Sequence, residues 1–67
     1  MIIKVFSNTK QNAHLWTYQT FKEKYSAIIK SHNMCGNVIN YIVYEVNNII
    51  DENYMDTLGL TYEIINP

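Results

Sequence analysis

VINYIVYEVNNII, residues 38–50, decides the fold, because its two readings lead to two different proteins. Taken one residue at a time it is strand-like, since three valines, four isoleucines and two tyrosines are β-branched or aromatic. Its periodicity argues otherwise. Stepped at about 100° per residue, Val38, Ile39, Ile42, Val43, Val46, Ile49 and Ile50 fall within an arc of about 140°. Asn40, Tyr41, Tyr44, Glu45, Asn47 and Asn48 fill the rest of the wheel. A strict alternation mixes Asn40 and Tyr44 with Val38, Ile42 and Val46, and leaves neither face cleanly apolar. Burial of a whole apolar face outweighs a few tenths of a kcal/mol of propensity per residue, so the stretch reads as a helix. Asn37 is its cap.

Working outward, Phe21, Tyr25, Tyr18, Ile28 and Ile29 share one arc with Leu15 at its edge, which predicts a first helix over 12–33. Thr9 or Asn12 caps its start, and Gly36 is placed as the glycine just beyond its end. IIKVFS (2–7) and LTYEII (60–65) read as strands, and DENYMDTLG (51–59) as an irregular break before the second of them. The expectation is one α+β domain over 1–67, in β-α-α-β order, with a helical hairpin packed on a two-stranded antiparallel sheet. Lys4 and Glu63 then face each other across the strands. So small a sheet has two free edges, open to extension by dimerisation or by a partner's strand.

A chain of 67 residues buries only about 60% of its unfolded surface, and such chains are often stabilised by disulfides, metals or oligomerisation. Cys35 is the only cysteine, which removes the internal disulfide and points to a cytoplasmic protein in which it packs as a small hydrophobe. No apolar run is long enough to span a membrane, and the N-terminus lacks a signal-peptide core. Asn, Ile, Lys and Tyr supply 30 of the 67 residues, a bias of AT-rich codons that suggests a low-GC bacterium, its phage or a mobile element. There is no arginine, the residue best suited to bidentate phosphate and guanine contacts, and the net charge is −1. Direct nucleic-acid binding is therefore disfavoured.

That net charge hides a division. Residues 1–35 hold all five lysines against Glu23 alone, a balance of +4. Residues 36–67 hold Glu45, Asp51, Glu52, Asp56 and Glu63 with no basic residue, a balance of −5. Either the halves neutralise each other across the fold, or the acidic half docks on a basic partner with electrostatic steering.

Reactive chemistry finds little support. His14 and His32 lie at one angle of the first helix but about 27 Å apart, too far to share a metal, and read as partly buried helix-end residues. His32 and Cys35 offer two zinc ligands where structural zinc wants four, and nothing marks an activated thiolate. Asp51, Glu52 and Asp56 lack calcium-loop spacing, and Gly36 and Gly59 are too isolated to cradle a phosphate. No metal, cofactor or catalytic residue is expected, and no enzyme. Interaction chemistry is better represented. Trp16 falls outside the apolar arc of its helix, as a binding tryptophan would. Tyr41, Tyr44, Glu45 and Asn48 share the polar side of the second helix with Asp51 and Glu52 beyond, a tyrosine, amide and acid mixture typical of binding surfaces.

The expected function is a small non-enzymatic protein-binding module, a phage- or mobile-element-type (anti-defence) inhibitor that covers a basic, nucleic-acid-handling site on a host protein. The alternative is a small dimeric regulator that contacts DNA through the lysine-bearing first helix.

Overall fold

The computed structural model describes residues 1–8 and 13–67. Six elements follow one another: β1 (Ile2–Ser7), α1 (Leu15–Tyr25), β2 (Ile28–Cys35), β3 (Val38–Glu45), α2 (Glu52–Leu58) and β4 (Leu60–Asn66). The protein is α+β, but its sheet has four strands in the order β2-β3-β1-β4, with every neighbouring pair antiparallel. Two β-α-β units thus interlock around a β2–β3 hairpin, the split β-α-β connectivity of ferredoxin-like folds. The expected β-α-α-β order is corrected at three places.

The first correction is at the quoted stretch, which forms β3 over Val38–Glu45 and then an irregular connection to α2. Between β2 and β3 the register moves from Met34↔Ile39 to Asn33↔Tyr41, which leaves Asn40 as an extra residue in β3. The bulge changes the parity of the faces. Ile39, Ile42, Tyr44 and Val46 all point into the core, a spacing of three, two and two that imitates a helical repeat over a short stretch. Ile49, assigned to the apolar arc of the wheel, is 94% exposed in the connection.

The second correction is the length of the first helix. α1 stops at Tyr25, where Ser26 turns left-handed (φ 48°, ψ 42°). The Ser26 N–H donates to the Glu23 carbonyl and the Ala27 N–H to the Lys22 carbonyl, closing a Schellman motif. Ile28 and Ile29 therefore begin β2 rather than end a helix. Gly36 is not a helix cap: with φ +62° it is the first residue of the two-residue Gly36-Asn37 turn between paired Cys35 and Val38. The left-handed serine yields a prediction. Replacing Ser26 with glycine removes the Cβ penalty of that conformation and raises stability by up to about 1 kcal/mol, read by urea unfolding.

At the outer strands the expectations stand. β1 has the expected bounds, β4 lies beside it with Lys4 opposite Glu63, and their side chains approach to 3.7 Å. Glu63 is exposed and Lys4 only half-buried, so solvent screens the pair and it contributes a few tenths of a kcal/mol. The stretch 51–59 is a third correction: expected as an irregular break, it is the helix α2, with Asp51 at its N-cap accepting from the N–H groups of Asn53 (2.9 Å) and Tyr54 (3.4 Å). Left-handed Gly59 (φ +71°) ends it. Thr9, Lys10 and Asn12 lie outside the described residues, and the residue at the N-cap of α1 is His14.

Both helices cover one face of the sheet. Ile3 and Val5 of β1, Ile42 and Tyr44 of β3 and Leu60 of β4 meet Tyr18, Phe21 and Tyr25 of α1 and Met55 of α2 in one buried cluster. Phe21 is its hub, with ring centroids 5.1 Å from Tyr25 and 5.0 Å from Tyr44. The Tyr44 hydroxyl donates to the Tyr18 carbonyl at 3.4 Å, whereas the buried Tyr18 hydroxyl has no partner among the described residues. Burial pushes both phenols above their ordinary value near 10, and for Tyr44 the adjacent Tyr18 adds to the effect. Above about pH 10 the unfolded chain releases protons that the folded chain retains, so stability falls as pH rises through that range. Tyr18→Phe should flatten this alkaline loss in pH-dependent urea unfolding. At neutral pH it should be neutral or stabilising by about 1 kcal/mol, because a buried unpaired hydroxyl is removed.

Candidate docking surfaces

The residues singled out from the sequence do not form one surface. Tyr44 is in the core, because a strand with a bulge at Asn40 carries position 44 inward; it is withdrawn as a partner-binding residue. Tyr41 and Glu45 lie half-buried on the opposite, open face of the sheet. There Lys4 Nζ sits 5.0 Å from the Tyr41 ring centroid and 5.7 Å from that of Phe6. The lysine thus occupies the space between the two rings and is also held by Glu63. Asn48 is exposed in the connection after β3. Asp51 is committed to capping α2. Trp16 is 62% exposed in the first turn of α1, as its angle on the wheel suggested.

His14 is exposed at the start of α1, and His32 is exposed on β2 rather than on a helix. Cys35, expected to be buried, is exposed at the end of β2, because that strand lies at the sheet edge with no element over it. Among the described residues no helix is long and apolar enough to cross a membrane.

Glu52 belongs to a better-formed site, together with residues that the sequence did not single out. A groove of about 480 Å³ runs between α2 and β4. Met55, Leu60, Tyr62 and Ile64 form its apolar part, and Glu52 and Asp56 stand along its helical side. The two carboxylates are four residues apart, so they share one helix face at a like-charge spacing that costs a few tenths of a kcal/mol. Asp56 is also in the last turns of α2, where the helix dipole disfavours an anion and no basic residue compensates. Lys4–Glu63 is the one ion pair among the described residues, so Glu52 and Asp56 have no cation within ion-pair distance there. Beside the groove β4 is an edge strand with Ile64 and Ile65 exposed.

Part of this was legible. Asp51 before an amphipathic run and Gly59 after it bracket α2 in the sequence, and a helix there places Glu52 and Asp56 together. No family model, curated protein or solved structure matches the chain.

Proposed function

We propose that the protein is a small, non-enzymatic, cytoplasmic interaction module, and that it works by taking an extended basic segment of another protein into the α2–β4 groove. The observation that carries this reading is the groove itself: two carboxylates with no cation paired to them among the described residues, one helical turn apart, above an apolar floor and next to an edge strand. An extended segment can add to the β4 ladder by backbone hydrogen bonding and place alternate side chains in the groove. Its lysines or arginines, on the groove side, would relieve the Glu52–Asp56 repulsion while their alkyl stems cover Tyr62 and Ile64. Basic segments of this kind line nucleic-acid-handling sites, so the biological role proposed is inhibition of a host protein by covering such a site, in the manner of a phage or mobile-element product.

The test is fluorescence anisotropy with a short labelled peptide alternating lysine and valine, beside an alternating glutamate and valine peptide and a labelled DNA duplex. Binding of the basic peptide alone supports the proposal, provided it weakens with salt and is lost in the Glu52→Gln, Asp56→Asn double variant. Binding of the duplex in preference to the peptide would instead support a regulator that contacts DNA through Lys22 and Lys24 of α1. That reading has less support, because Lys24 is partly engaged over the Tyr54 ring at 5.3 Å and the acidic face lies on the adjacent helix.

A further inference from the structure

The hydrogen-bonding phase of the β4 edge follows from the ladder behind it. The Asn8 N–H donates to the Gly59 carbonyl at 3.0 Å, and bonded and non-bonded positions alternate along an antiparallel pair. Thr61 and Glu63, opposite Phe6 and Lys4, therefore turn their backbone groups toward β1, while Tyr62 and Ile64 turn theirs to the outer edge. The far side of β1 agrees. Met1 and Val46 exchange backbone bonds of 2.9 and 3.1 Å, so odd-numbered residues of β1 serve β3 and even-numbered ones serve β4. The residues whose backbone faces outward, Tyr62 and Ile64, are also residues whose side chains line the groove.

We infer that the segment this groove takes carries two basic residues separated by one residue of any kind, one basic side chain for each carboxylate. The inference rests on the groove reading above and adds a spacing to it. Glu52 and Asp56 are four residues apart, a step of about 6 Å along the axis of α2. Successive residues on one face of a strand are two apart, a step of about 6.6 Å. Gly59 alone joins α2 to β4, so the strand runs back along the helix, and a segment added beside β4 follows the same line. Its residues opposite Tyr62 and Ile64 share the groove side with them. Two such neighbours thus advance by nearly the same step as the two carboxylates, with Asp56 toward the Leu60 end and Glu52 toward the Ile64 end.

Other spacings waste one of the two charges. Basic residues that are adjacent or three apart lie on opposite faces of a strand, so only one of them enters the groove. The other lands on the open side, where Glu63 is already paired with Lys4 at 3.7 Å. Basic residues four apart share the groove side but stand about 13 Å from each other, twice the step of the carboxylates. Among the described residues Glu52 and Asp56 are the only charged groups lining the groove, so a third basic residue finds no further anion there.

Four labelled threonine peptides of equal length and charge test the spacing by fluorescence anisotropy, each with two lysines set one, two, three or four residues apart. The peptide with lysines two apart should bind at least about threefold tighter than each of the others, because it alone keeps both charged contacts. Glu52→Gln or Asp56→Asn alone should weaken that peptide and erase the preference among spacings, since one carboxylate remains and every peptide can offer it one lysine. Both side chains are exposed, and unchanged circular dichroism and urea unfolding would show that the variants keep the fold. Equal binding of all four peptides, tightest binding at another spacing, or a preference that survives in either single variant would overturn the spacing and leave the groove reading in place. Binding of none of them at about 1 mM peptide, or undiminished binding in the Glu52→Gln, Asp56→Asn double variant, would overturn the groove reading and the spacing with it.

Discussion

Replacing Tyr44 with alanine should unfold much of the protein under native conditions, whereas Tyr41→Ala should leave it folded. Tyr44 is fully buried, stacks near Phe21 with centroids 5.0 Å apart and donates its hydroxyl to α1. Removing a buried aromatic side chain of this size costs about 3–5 kcal/mol through lost transfer energy and the cavity left behind. A domain this small has a total stability of roughly 3–10 kcal/mol, from about 0.05–0.15 kcal/mol per residue. The substitution thus removes a large part of it. Tyr41 lies half-buried on the open face, where its loss forfeits the contact with Lys4 and little else, about 1 kcal/mol. Urea unfolding of the two variants gives the contrast directly. Two similarly small losses would return residues 38–50 to a helix with both tyrosines on its polar side.

The second large effect compares neighbours on β3. Ile42→Asp should cost about 4 kcal/mol or more, because it deletes a core side chain and places a carboxylate among Tyr44, Val5 and their neighbours without a partner. Val43→Asp should cost less than about 1 kcal/mol. Its Cα is paired with Lys4 on the open face, where an opposite charge is favourable across the strands. In a helix both positions would belong to the same apolar arc, and both aspartates would be severe. Circular dichroism with urea titration distinguishes the cases: strong loss at 42 with tolerance at 43 is the signature of a strand.

These residues also show what the sequence revealed and what it hid. The outer strands were readable because 2–7 and 60–65 carry no irregularity that disturbs their pattern beyond the last pairs, and the Lys4–Glu63 contact followed from their antiparallel arrangement. The centre was misread for a physical reason. One bulge residue, Asn40, converts a period of two into a locally helical spacing, and the wheel then absorbed exposed Ile49 and open-face Val43 into a false stripe. Single-residue propensity was the better guide there. The Gly36-Asn37 turn was a second available signal, since a glycine and an asparagine between β-branched runs mark a two-residue hairpin. The apolar stripe of α1 was correct through Tyr18, Phe21 and Tyr25 but was extended into β2, whose isoleucines happen to continue the angle. The acidic bias of the second half was evident in the composition. Its concentration at Glu52 and Asp56 was not, because it depends on α2 existing and on β4 returning beside it.

The proposed function rests on the α2–β4 groove. The most direct measurement is a titration of the isotopically labelled protein with the lysine–valine peptide, followed by amide chemical shifts. Shifts should concentrate in Glu52–Leu58 and Leu60–Asn66, be strongest near Asp56 and Ile64, and vanish in the Glu52→Gln, Asp56→Asn variant. Shifts that spread evenly over the surface, that centre on α1, or that persist in the double variant would contradict the proposed function.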